Sequence, residues 1–198
     1  MEKTRAVERS VQSLQRIYAF VVALAIGRAI ESTFVTEEVL SFHPDRLPIF
    51  LAFLVTVVPF FHGMNRHLDR CYLEQRDSNV QKALLFDFIV FFIEAGLLFA
   101  FAASTQSGLS GFLILAVMLA LDIPWAMISQ WIHYGENPTG TWLWATVNTG
   151  AIVLIVAIYF LDVYAPLVKP WILAMVAAVR SGADYWLSWD LYFPPIST

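Results

Sequence analysis

Glu31, Asp87, Glu94 and Asp122 are acids set inside otherwise apolar stretches, and Arg28 is a cation set in the same way. An ionisable side chain in hydrocarbon costs about 2.5–3.5 kcal/mol on insertion scales, so each implies a partner, water or a task. At about 1.5 Å per residue from the nearer end of each stretch, Glu94 and Asp122 fall near the middle. Glu31 falls toward one side and Asp87 toward the other. Asp87 and Glu94 are seven apart, which puts them on one helix face, about 10 Å apart along the axis. Carboxyls at graded depth can each lose and regain a proton or ligate a cation, as a proton relay or cation path requires. Arg28 would supply the countercharge. The competing reading is static. Arg28 pairs with Glu31 one turn away, or with Glu94 or Asp122, and locks the helix register.

The other reactive side chains give less. His62 and His133 fall near the same ends of their stretches, so two helices could offer them to a haem or a metal. His67 and Cys71, four apart, share a face, but two ligands do not make a zinc site. The reading is therefore of no cofactor and no metal, with His62 and His133 as the weak candidates. A haem-bearing electron carrier is the least favoured function. Pro124, two residues after Asp122, frees a carbonyl one turn back and bends its helix. Asn148 suits a hydrogen bond between helices, worth about 0.6–2 kcal/mol. No phosphate-binding glycine loop, His-Glu-x-x-His motif or nucleophile turn occurs, so no motif names an enzymatic reaction.

The elements that must hold these residues are membrane helices. The chain of 198 residues is 59% hydrophobic and 14% charged, with mean hydropathy +0.65. Soluble domains are nearer 45–50% apolar and about 25% charged. Five apolar runs stand out, at about 17–34, 47–64, 82–103, 112–132 and 142–161, each near the length that crosses a bilayer. The first continues past signal-peptide length without an evident cleavage site, and reads as an uncleaved span. Pro48 suits the first turn of the second run, Ser78 with Gln81 reads as a capping box before the third, and Asn137, Pro138 and Gly140 break the chain before the fifth. Ala23 with Gly27, and Gly96 with Ala100, give small-residue faces for close helix packing.

The expected fold is an all-α polytopic membrane bundle of about five spans with a carboxyl-terminal interfacial helix. Residues 1–16 form a cytoplasmic amphipathic segment, 17–162 the bundle with a cytoplasmic loop at 65–82, and 163–198 the interfacial helix and aromatic tail. Tryptophan and tyrosine crowd this last segment, as they do at membrane interfaces. A short sixth span is the alternative. Of the 12 Lys and Arg, eight fall in the two segments 1–16 and 65–82. That places both segments, and the amino terminus, in the cytoplasm of a plasma or inner membrane.

Two functions follow as expectations. One is a small, oligomeric membrane protein conducting protons or cations past the four acids, its small-residue faces seating further copies. The other is a membrane sensor or scaffold that recruits a cytoplasmic protein, or anionic headgroups, through Arg66, Arg70, Arg76 and Lys82. The near-balanced charge of that loop argues against nucleic acid.

Overall fold

The computed structural model describes residues 2–36, 39–41, 43–74, 80–106, 108–134, 139–161 and 164–194. Arg76, the Ser78–Gln81 capping box, and the Asn137–Pro138 break lie outside the described residues or side chains. Helices account for nearly all the rest: α1 Glu2–Phe34, α2 Leu47–Leu68, α3 Val80–Ser104, α4 Ser110–Tyr134, α5 Thr139–Phe160, α6 Lys169–Leu187 and the short α7 Trp189–Tyr192. Two-residue strands, β1 Val35–Thr36 and β2 Val39–Leu40, pair antiparallel between α1 and α2. Pro48 takes its place in the first turn of α2. A turn of π-helix, Asp69–Glu74, extends that helix. Between α3 and α4, Gly108 adopts φ 87°. There Gly111 comes so close to Ser104 and Phe101 that a Cβ would collide with both.

Each helix packs on the next in the order α2, α1, α3, α4, α5, α6, and α6 closes the ring on α2. Periodicity explains the buried faces. On α1, Val11, Leu14, Tyr18, Val22, Ala25 and Ala29 recur at three- and four-residue steps and are all buried. Phe53 of α2 meets Phe101 of α3 edge to face at 5.7 Å, the offset that aromatic quadrupoles favour. The exterior is apolar as well. Phe20, Phe92, Trp131, Val153, Phe160 and Met175 are exposed, while Asp87, Glu94, Asp122, Asn148, Arg180 and Asp184 are buried. Five helical stretches, in α1 to α5, are long and apolar enough to cross a membrane.

Both segments that flank the apolar runs are helical. Residues 2–16 form the first half of the 33-residue α1, continuous with the first apolar run. Val11 and Leu14 are buried there, and Gln15 Nε2 donates to Asp69 Oδ1 at 2.9 Å. The expected interfacial helix is α6, which packs along α2 and α5 as a full member of the ring. Its buried positions, Leu173, Ala174, Ala177, Arg180, Ser181 and Asp184, make one stripe. The apolar run breaks at Arg180 because the polar end of the stripe turns inward.

The end of α6 lies beside the end of α2. Arg66 Nε donates to the Leu191 carbonyl at 3.0 Å. Tyr192 Oη packs against Gly63, where a Cβ would lie only 3.2 Å from that oxygen. A side chain at this position would press the Tyr192 ring back by a few tenths of an ångström.

Candidate functional site

Along the centre of the ring runs a cavity of about 410 Å³, open at the end where α2, α4 and α6 finish. Glu94 and Asp122 line it, as do Arg180, Asp184, Trp144, His67 and Cys71. Helix α3 supplies Glu94, α4 supplies Asp122, and α6 supplies Arg180 and Asp184, one turn apart. No single element holds the site.

Arg180 is its hub. The guanidinium lies 3.8 Å from Asp122 and 3.8 Å from Asp184. Its Nε donates to Asn148 Oδ1 of α5 at 2.6 Å, and it stands 5.3 Å from the centre of the Phe60 ring of α2. Asp184 in turn accepts hydrogen bonds from Trp144 Nε1 at 2.6 Å and Tyr192 Oη at 2.9 Å. Burial and the neighbouring Asp184 push the Tyr192 phenol above its ordinary pKa, which keeps it a donor.

Glu94 of α3 and Asp122 of α4 are both buried and line this cavity together. A carboxylate only accepts, so two such carboxyls could bond to each other only around a proton. Glu94 Oε1 is buried without a hydrogen-bond partner among the described residues. The carboxyls of Glu94, Asp122 and Asp184 thus line one cavity with the Arg180 guanidinium, which meets the latter two. A buried carboxylate without its own cation carries a penalty of several kcal/mol. The cluster is neutral only when protons or a bound cation make up the difference.

Asp87 belongs to a second cluster nearer the open end. It accepts from His67 Nε2 at 2.8 Å, Tyr72 Oη at 2.7 Å and Trp125 Nε1 at 2.9 Å. With three donors on two oxygens it is an anchoring group, tying α3 to α4 and to the π-helical turn.

The remaining sequence candidates lie apart from this centre. Arg28 and Glu31 pair at 2.8 Å on the outer side of α1, their side chains 35% and 60% exposed. Ala23, Gly27, Gly96 and Ala100 also face outward; the close contacts inside the ring use Ala25, Ala29, Ala95 and Ala102 instead. His62 lies 3.3 Å from the Tyr185 hydroxyl, whereas His133 stands with His67 and Cys71. The two histidines have different surroundings. Arg66 Nε is bonded to the Leu191 carbonyl, and Arg70 and Lys82 lie at the surface.

Arg180 and Asp184 are the functional candidates that sequence reasoning passed over. Their signal was present: an i, i+4 acid–base pair continuing the face of Leu173 and Ala177. It was hidden because the apolar run ends at Val179 and an aromatic-rich tail follows.

Fold and site together define an all-helical ring with a buried, acid-rich polar centre. Comparison of the chain with family models, curated proteins and solved structures gives no match.

Proposed function

We propose that this chain is an integral membrane protein that passes protons through the centre of its helix ring, with Glu94 and Asp122 as the buried exchange pair. The observation that supports this reading is the excess of carboxyls over guanidinium beside an open cavity. A proton reaching the pair through cavity water would reside at Glu94 and Asp122, and the unpartnered Glu94 Oε1 is an acceptor available to it. Arg180 holds Asp122 in place and disfavours a metal cation at the same spot, because a like charge so close is repelled. That argues for protons over the cations the sequence equally allowed.

Membrane residence is supported by the apolar exterior, which water would not tolerate on this scale. Six crossings suit the geometry better than five. Helix α6 has 19 residues, about 28 Å of helix, close to the roughly 30 Å of hydrocarbon. The Arg66–Leu191 bond keeps the tail at the end where α2 finishes. An even number of spans then puts both termini on the basic, cytoplasmic side. The outward Ala23, Gly27, Gly96 and Ala100 are where further copies would pack. The recruitment reading has less support, since Arg66 is held by Leu191, by Asp69 at 3.8 Å and by Glu74 at 3.5 Å.

The test is proton flux in proteoliposomes. Wild-type protein should collapse an imposed pH gradient, and Glu94→Gln should slow that at least about tenfold, a barrier change of about 1.4 kcal/mol. Its size-exclusion profile should stay unchanged. Equal flux in the two proteins, or none above empty liposomes in either, would overturn the proposal.

A further inference from the structure

We infer that His67, Cys71 and His133 form a site for a zinc ion at the mouth of the cavity. The donor atoms of the three side chains lie within 4.8 Å of one another. His67 Nδ1 and Cys71 Sγ are 3.7 Å apart. Zinc holds thiolate sulfur at about 2.3 Å and imidazole nitrogen at about 2.0–2.1 Å, so tetrahedral ligands of these two kinds stand about 3.5 Å apart. The observed spacing is already close to that.

A second, independent feature points the same way. Asp87 is an acceptor and claims the proton on His67 Nε2, at 2.8 Å. In the neutral ring this leaves Nδ1, the nitrogen facing Cys71, with its lone pair. Metal-binding histidines are characteristically oriented in this way, by a carboxylate on the nitrogen that does not bind the metal. Asp87 is itself fixed by Tyr72 and Trp125, so the orienting group cannot turn away. The π-helical turn supplies the rest of the geometry. It carries Cys71 on the wall of the cavity and Tyr72 back toward Asp87, and π-helical turns recur at functional sites.

Two imidazoles and one thiolate suit zinc. Three protein ligands leave a fourth position, and because His67, Cys71 and Ser129 line the cavity, that position opens on it and can hold water. The arrangement resembles open zinc sites more than closed structural ones.

The test is metal binding by the purified, detergent-solubilised full chain. Dialysed against buffered Zn²⁺, it should retain about one equivalent, and with Co²⁺ it should develop a thiolate-to-cobalt charge-transfer band. Cys71→Ser should abolish the band, and His133→Ala should weaken zinc binding at least about tenfold. Asp87→Asn, which keeps all three ligands, should weaken it about 10- to 100-fold. His62→Ala, outside the cluster, should bind as the wild type does and serves as the control for folding. Absence of zinc retention by the wild type, or equal retention by Cys71→Ser and His133→Ala, would overturn the site.

Discussion

Arg180 of α6 and Asp122 of α4 meet at 3.8 Å in the middle of the helix ring, both buried. Neither residue has a partner of opposite charge that its own helix could supply in full. Asp122 has no basic residue within four positions, and Arg180 has Asp184 one turn on but also meets Asp122 across the ring. The pair therefore couples the closing helix of the ring to the acids at its centre.

Removing the guanidinium should be costly. Arg180→Met leaves the buried Asp122 and Asp184 without their cation, and breaking a buried ion pair from one side typically costs about 3–5 kcal/mol. Unfolding in mixed micelles should show a loss of this order. Adding Asp184→Asn should restore part of it, because the orphaned charge is then smaller. A strictly additive double variant would mean that the two residues do not interact.

Tyr192 should act as a clasp for the carboxyl-terminal tail. Tyr192→Phe removes the bond to Asp184 and should cost about 1.5–3 kcal/mol, with faster amide exchange over 189–194. The phenol's pKa is raised in the folded state. Its contribution is therefore fully present below the unfolded value of about 10 and is lost as pH rises beyond that through the folded value. The stability difference between wild type and variant should be flat from about pH 6 to 9. A difference that shrank across this window would contradict the clasp.

The two termini should report from the same side. Reporter domains fused to the amino and carboxyl ends should both behave as cytoplasmic, and a reporter placed after α5 should behave as external. A carboxyl-terminal reporter active only outside would restore the five-span arrangement and leave α6 at the interface.

Asp87 and Glu94 share a helix face, yet their substitutions should separate. Asp87→Asn breaks bonds from His67, Tyr72 and Trp125 and should lower stability by about 1–3 kcal/mol. Its proton flux should stay within about twofold of wild type, because the group anchors rather than exchanges. Glu94→Gln should do the reverse. Equal loss of flux from both would mean that Asp87 belongs to the path.

The sequence by itself determined the helices and their apolar character. Hydrophobic runs of about 20 residues admit few other structures, and α2 to α5 begin and end close to where those runs do. It also singled out Glu94 and Asp122, since an acid amid leucine and phenylalanine is conspicuous in one dimension. What it could not determine was which helix brings the countercharge. Arg28 is the cation that stands out along the chain, but it turns outward to Glu31, and the centre is served by Arg180 from a helix that reads as an interfacial tail. His133 joins His67 and Cys71 for the same reason: the contact spans 62 residues between Cys71 and His133 and depends on how α4 lies against the π-helical turn. Periodicity states which residues share a face of one helix; only the packing of helices against one another decides which faces meet.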